Sequence, residues 1–205
     1  MTSPRPDVAA LRRARRRTLP DVIAPGLGVL FCGINPGLYS AAIGHHFGRP
    51  GNRFWKALHL SGFTPRLFSP SEDAALLAYG IGITNLCSRT TASADELTAA
   101  ELERGGRELV AKARRYRPRV VAILGIGAYR VGFGRPDACI GRQEGPTAES
   151  LTWVLPNPSG LNAHYGLVEL THHFRVLRAA LETMAISAVA ARPGRARTGR
   201  PRPGR

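Results

Sequence analysis

Two patterns of apolar positions follow one another along the chain and together predict an α/β fold. Short runs of consecutive apolar residues, bounded by Gly or Pro, are typical of strands buried on both faces; they lie at 28–33, 80–86, 119–125 and 151–156. Between and after these runs, apolar residues recur every three or four positions, which predicts helices over 53–60, 69–79, 93–117, 126–133 and 167–185. Strands that alternate with helices favour a three-layer α/β/α sandwich around a short, mostly parallel sheet.

Two loops that follow predicted strands differ in composition from the other connections. The sequence INPGLYSAAIGHHFGRPGN (34–52) follows the first strand, and NPSGLNAHYG (157–166) follows the fourth. Parallel sheets bind ligands at the carboxyl ends of their strands. Chemistry is therefore expected in these two loops.

The glycines after the third strand do not form a dinucleotide-binding loop. Gly125, Gly127 and Gly132 follow that strand, but the third glycine of a GxGxxG pattern would have to stand where Arg130 stands. The chain also contains no GxxxxGK[ST] phosphate-binding loop. We interpret Gly125 and Gly127 as positions where a helix packs closely on a strand.

Each of the two unusual loops has one residue with both a structural and a functional interpretation. Asn35, in GINPG, carries an uncharged acceptor and donor directly after a strand, which suits either an Asx-type turn or a reaction centre. Leu161, in NPSGL, is a bulky apolar residue in a polar loop. It is either tucked under its neighbours or it is a wedge that enters a base stack.

Taken together, GINPG and NPSGL resemble the two signature motifs of the uracil-DNA glycosylase superfamily. The resemblance is closest to the branch of mismatch-specific uracil-DNA glycosylase and thymine-DNA glycosylase. It continues, in order along the chain, through FCGINPGLYSAA, GNRFWKALHLSGFT, YGIGITNL, AILG and WVLPNPSGLNAHY, and covers about residues 21–183.

The resemblance implies a monofunctional DNA repair enzyme that flips uracil out of double-stranded DNA and hydrolyses its glycosidic bond, leaving an abasic site. Asn35 would orient the attacking water at C1′, and the base would be held by Ile34, Phe47 and Asn157. Leu161 would fill the vacated stack, with Ser159, Gly160 and Asn162 beside the opposite base. No metal and no other cofactor is expected.

The preferred substrate on this interpretation is uracil opposite guanine, with thymine or ethenocytosine as further candidates. An asparagine can position water but cannot take its proton, so Asn35 predicts slow turnover. A mispaired pyrimidine costs less to extrude than a paired one, which favours mismatches. Ala163 stands where related sequences often have a basic residue, and Asn85 differs from the lysine of some bacterial members. These two positions leave the strictness of guanine selection and the substrate range open.

Charge and cysteine content bear on the environment rather than on the site. The chain has a net charge of +15, most of it in an N-terminal basic extension (1–20), expected to be flexible or to form a short helix, and an Arg/Pro/Gly-rich tail (187–205), expected to be disordered. The domain itself spans 21–186. Its three widely spaced cysteines indicate a reducing compartment. We expect a cytoplasmic, nucleoid-associated monomer that binds duplex DNA and no membrane.

Two alternatives remain open at this point. The first is a non-catalytic, basic DNA-binding protein built on a glycosylase fold. The second is a related glycosylase that prefers another lesion, such as ethenocytosine or hypoxanthine.

Overall fold

The central feature of the structure is a twisted sheet whose strands run in the order β2-β1-β3-β5-β4. The structure is a computed structural model and describes residues 5–144 and 150–190. The strands are β1 (Val29–Gly33), β2 (Ile81–Asn85), β3 (Val120–Leu124), β4 (Gly141–Gln143) and β5 (Leu151–Leu155). All pairs are parallel except β4 with β5. The four predicted strands are confirmed, and the short antiparallel edge strand β4 was not predicted.

Six α-helices and two 3₁₀ helices are seen in the described residues. They are α1 (Val8–Ala14), α2 (Leu38–Ile43), α3 (Phe54–Leu60), α4 (Ala99–Tyr116), α5 (Ile126–Gly132) and α6 (Leu167–Ala190), with 3₁₀ turns at Pro70–Tyr79 and Ala94–Glu96. The segment 38–43 was predicted as loop and is helical. The predicted helix over 93–117 begins later, because Thr98 caps α4 and exchanges hydrogen bonds with Glu101.

The core lies on both faces of the sheet, which confirms the three-layer α/β/α arrangement. Alternate strand residues point to opposite faces. On one face Phe31 packs edge-on against Phe54 of α3 and stacks on Phe174 of α6. On the other face Leu30 packs in a second cluster that includes Tyr129 of α5. The carboxyl edge of the sheet therefore lies between packed helices on both faces.

Two glycines let α4 approach its neighbours closely. The sequence predicts that Gly105 and Gly106 weaken or bend the helix, yet α4 is continuous. Both glycines are buried, and a Cβ atom would collide with the Leu86 carbonyl at Gly105 and with the Gly132 carbonyl at Gly106. The two glycines therefore allow α4 to contact both the end of β2 and α5 closely.

The two basic termini differ in what the structure describes. Residues 8–14 of the N-terminal extension form α1, which packs on α2 with Ala14 fully buried. At the other end α6 continues to Ala190, so residues 187–190 extend the helix rather than beginning the predicted disordered tail. The remainder of that tail, 191–205, lies outside the described residues.

The three cysteines occupy different environments. Cys32 on β1 and Cys87 after β2 are buried, whereas Cys139 is exposed ahead of the edge strand β4. Burial raises the pKa of both buried thiols above the ordinary cysteine value. No described helix is both long and apolar enough to cross a bilayer.

Candidate active site

A cleft of about 710 Å³ opens at the carboxyl ends of β1, β2, β3 and β5. Its size is within the range of small-molecule sites. Both unusual loops contribute to it, and it is lined by all the predicted site residues except Gly160. Gly160 lies beside the cleft, where its Cα packs against the Gly51 carbonyl so closely that a Cβ would come within 2.7 Å of that oxygen. The fold therefore brings together the residues that the sequence predicted.

The Asn35 side chain is held in one orientation by the loop that follows β2. Its Nδ2 donates to the Arg89 carbonyl at 2.9 Å and to Thr91 Oγ1 at 2.7 Å. The Thr91 hydroxyl donates its own hydrogen to the Ser93 carbonyl at 2.6 Å, so toward Asn35 it can only accept. Both amide hydrogens are thus used. No described residue donates to Oδ1, which leaves this oxygen as the acceptor available in the cleft.

Phe47 occupies a strained backbone position at the rim of the cleft. Its φ is +52°, which is rare for a bulky residue and clusters at functional sites. One face of its ring stacks on Phe54 with centroids 4.1 Å apart. Its backbone N–H donates to no acceptor among the described residues. Phe47 therefore offers both an aromatic surface and an unused donor.

The turn that carries Phe47 is fixed by residues that sequence reasoning missed. Asp73, from the 3₁₀ helix Pro70–Tyr79, accepts from the His46 N–H at 3.1 Å and lies 3.3 Å from His45 Nδ1. Trp55 Nε1 donates to the His46 carbonyl at 3.3 Å. An acidic residue in a helix start elsewhere in the chain gives no sequence signal for this contact.

His46 is buried and neutral, which gives the protein a pH-dependent stability. Burial lowers the pKa of His46 below 6.5, and this outweighs the Pro20 carbonyl at 3.0 Å and the Asp73 carboxylate, which both raise it. The unfolded chain therefore binds a proton more readily. The stability that neutral His46 provides is present above about pH 6.5 and is lost as the pH falls toward the folded-state pKa.

We expect His46→Gln to reduce the loss of thermal stability on acidification. Glutamine can still donate to the Pro20 carbonyl but has no proton to gain. The check is the difference in Tm between pH 7.5 and pH 5.5 for the wild type and the variant, with His172→Gln at an exposed position as the control. An unchanged difference in His46→Gln would contradict the assignment.

Small and polar residues complete the floor of the cleft. A Cβ on Gly33 would come within 2.6 Å of Asn85 Oδ1 and 3.3 Å of the Phe47 ring, so only glycine fits there. The Asn85 side chain lines the cleft and forms no hydrogen bond with a described residue. Asn85 is therefore free to contact a bound group.

The loop after β5 is stiffened by its own hydrogen bonds. Asn157 Oδ1 accepts from the Ser159 N–H at 3.0 Å, and this leaves Asn157 Nδ2 without a described acceptor. Asn162 Nδ2 donates to the Asn157 carbonyl at 2.9 Å, and Asn162 Oδ1 accepts from the His164 N–H at 3.1 Å. Leu161 projects from this frame with 68% of its surface exposed. It is not tucked under its neighbours, which was the structural alternative.

Arg53, which sequence reasoning also missed, fixes this loop by hydrogen bonds to its backbone. Its guanidinium donates to the carbonyls of Tyr165 at 2.5 Å, Asn162 at 2.8 Å, and Ser159. Its backbone N–H donates to the Pro158 carbonyl at 2.9 Å. An arginine in a helical pattern is normally interpreted as exposed, so the contact was not foreseeable from spacing.

The described residues contain no group of three or more His, Cys, Asp or Glu side chains that could hold a metal ion. What the cleft offers is an oriented amide oxygen, an aromatic ring, unused N–H donors and an exposed apolar side chain at its edge. Such a set suits a planar, polar ring that enters the cleft from a larger molecule.

Comparison with known proteins places the chain in a class of DNA repair enzymes, the DNA glycosylases. The family model of the uracil DNA glycosylase superfamily matches residues 20–182, and the chain belongs to that superfamily. A protein from Methanosarcina acetivorans, solved by solution NMR and provisionally described as a uracil DNA glycosylase, is 22% identical with a TM-score of 0.48. The match covers 80% of this chain and 98% of that one. This similarity is too distant to indicate a substrate.

Proposed function

We propose that the protein removes uracil opposite guanine from double-stranded DNA by hydrolysing the bond between N1 of the base and C1′ of the sugar. The observation that carries the proposal is the Asn35 amide, whose donors are both used and whose Oδ1 is available in a cleft that also holds the Phe47 ring. Family membership supports the glycosylase chemistry, and the residues of the cleft support the substrate.

In the proposed reaction, water attacks C1′ while the C1′–N1 bond breaks. Asn35 Oδ1 accepts a hydrogen bond from this water and aims its lone pair at C1′. An amide does not accept the proton, so the proton is lost to solvent or to the departing uracil once the bond has broken. Turnover is expected to be slow, and the products are free uracil and an abasic sugar.

Donors in the cleft suit the negative charge that develops on the leaving base. The Phe47 N–H and Asn157 Nδ2 have no described acceptors and are available to the uracil carbonyl oxygens. Fixed donors of this kind stabilise a leaving anion without having to reorganise. The Phe47 ring, supported from behind by Phe54, provides a stacking surface for the base.

Backbone groups of the Leu161 loop support the preference for guanine as the opposite base. The carbonyls of Ser159 and Asn162 are occupied by Arg53, but those of Gly160 and Leu161 accept no hydrogen bond from a described residue. Guanine presents N–H donors that suit such acceptors, whereas the pairing nitrogen of adenine is itself an acceptor. The Asn162 side chain is used within the loop, so the predicted contact of Asn162 with guanine would rest on its backbone.

The direct test is excision from an end-labelled duplex with one G·U pair, followed by alkali and detection of strand scission at the abasic site. Asn35→Ala, purified in the same way, controls for a contaminating host enzyme. A further set of duplexes ranks the substrates. One has uracil opposite adenine, and the others carry thymine, ethenocytosine or hypoxanthine in place of uracil. Binding to the G·U duplex without scission would contradict the proposal and favour a non-catalytic DNA-binding protein.

Leu161→Ala is expected to lower excision from duplex DNA by about tenfold or more and excision from single strands much less. The reason is that the wedge replaces the extruded base in the stack, and unstacking costs a few kcal/mol only where a stack exists. The measurement is kcat/KM on duplex and on single-stranded substrates. An equal loss on both would argue against a wedge.

A further inference from the structure

The N-terminal helix α1 carries a cluster of arginines and lies outside the part of the chain that the family model matches. The match begins at residue 20, whereas α1 spans Val8–Ala14 and its last turn continues through residues 15–17. Arg12, Arg13 and Arg16 are exposed and contact no described acceptor. We propose that these three arginines bind the phosphates of DNA that flank the flipped nucleotide. The proposal rests on the proposed function, because it names a further contact with the same substrate.

The arginines are carried on a segment that is fixed to the domain. Ala14 is fully buried between α1 and the domain, and Thr90 Oγ1 donates to the Arg17 carbonyl at 2.6 Å. Beyond the helix, Leu19 is buried and Asp21 forms an ion pair of 2.6 Å with Lys112. Because its backbone is already fixed, the segment loses less backbone entropy when its arginines bind a ligand.

The anchor points lie at the edge of the sheet where the cleft opens. α1 packs on α2, which follows GINPG directly, and Leu19 lines the cleft itself. Arg15 bonds to Glu96 at 3.2 Å, next to cleft residues 92–95. This side of the cleft belongs to β2, and the Leu161 loop follows β5. These strands stand three positions apart in the sheet, a separation of about 14 Å. In the proposed complex, a duplex that receives Leu161 extends across this side of the cleft toward α1.

Charge around α1 favours a polyanion. Arg15 is paired with Glu96, and the Arg17 guanidinium is bound to the Ala42 carbonyl at 3.3 Å, so the anchoring arginines are distinct from the three exposed ones. The Glu96 charge is neutralised by that pair. Arginine binds phosphate oxygens through two parallel N–H donors. The occupant with the matching chemistry is therefore the backbone of the substrate DNA.

The test compares two triple variants that remove the same charge. Arg12, Arg13 and Arg16 are replaced together by Gln in one; Arg114, Arg115 and Arg117, exposed at the far end of α4, are replaced by Gln in the other. The affinity for a G·U duplex that carries 2′-fluoro-deoxyuridine, which resists hydrolysis, is measured from 50 to 300 mM salt. Each lost phosphate contact lowers the slope of log K against log salt by about 0.9.

We expect the α1 variant to lower that slope by about 2 to 3 and to weaken binding to uracil-containing and undamaged duplexes alike. The α4 variant should keep the wild-type slope. Equal losses in both variants would show that overall charge alone matters, and an unchanged slope in the α1 variant would show that α1 does not touch DNA; either result overturns the proposal. Binding of the same variants to anionic vesicles is measured in parallel. If the α1 variant loses vesicle binding while its DNA binding is unchanged, the proposal is also overturned. Because binding is read without catalysis, failure here is distinguishable from failure of uracil excision.

Discussion

Asn35→Ala is expected to lower kcat for uracil release by about a hundredfold or more while leaving affinity for the duplex close to the wild-type value. Methyl in place of the amide removes Oδ1, the acceptor that would aim the attacking water. Misplacement of a reacting group by about 1 Å costs about this much. The Asn35 amide lies in the cleft and not on the surface expected to contact DNA phosphates, so affinity for the duplex should persist. Single-turnover rates and the Kd for the 2′-fluoro duplex separate the two effects.

Adjacent threonines provide a matched control for the orientation of Asn35. Thr91→Val keeps the shape of the side chain but removes the oxygen that accepts from Asn35 Nδ2, so the amide is freed to rotate and kcat should fall by about tenfold. Thr90→Val removes a hydroxyl that donates to the Arg17 carbonyl instead, and kcat should be unchanged. Equal kcat values for Asn35→Ala, Thr91→Val, Thr90→Val and the wild type would exclude Asn35 as the water-positioning residue.

Arg53→Ala is expected to disorganise the Leu161 loop and lower duplex activity at least as much as Leu161→Ala does. The substitution leaves three loop carbonyls without their common donor, and a buried polar group without a partner costs about 1–3 kcal/mol. The loop would relax to hydrate these oxygens, and Leu161 would lose its fixed direction. Activity on single-stranded substrate should fall much less, and Tm should fall by a few degrees.

Two further variants separate positioning from a general loss of stability. Arg53→Lys keeps the charge but cannot reach all three carbonyls with a single ammonium group, so it should recover only part of the duplex activity. In a double variant, Arg53→Ala and Leu161→Ala should be strongly non-additive, because in the proposed mechanism both act through the Leu161 wedge. Additive losses, or equal losses on duplex and single strands, would assign Arg53 a structural role alone.

Apolar runs and helical spacing were sufficient for the strands and the long helices, but short elements gave too little pattern. α2 has six residues between Gly37 and Gly44, and glycines at both ends made the segment resemble a loop. β4 has only three residues, too few to show alternation. For the segment 69–79, the serine cap and the acidic first turn predict a helix start, but nothing in the spacing separates a 3₁₀ helix from an α-helix.

The place of the candidate site in the fold was predictable where a residue type and a strand end coincide, and not where a distant residue provides support. Asn35 and Leu161 stand in loops at the carboxyl ends of strands, where the motifs themselves point to chemistry. Thr91, Asp73 and Arg53 act through contacts with residues far away in sequence, and such contacts depend on packing that one sequence does not encode locally. The positive φ at Phe47 is likewise imposed by its surroundings, since nothing in its residue type favours it.

The different environments of the three cysteines make the natural chain suitable for site-specific labelling. Thiol reagents act on accessible thiolates, and burial protects Cys32 and Cys87 from them. Cys139 is exposed and stands ahead of β4, at the opposite edge of the sheet from β2 and α1. A maleimide dye would therefore attach at one place and leave the cleft untouched. Fluorescence from that dye could follow the arrival and departure of DNA without any engineered residue.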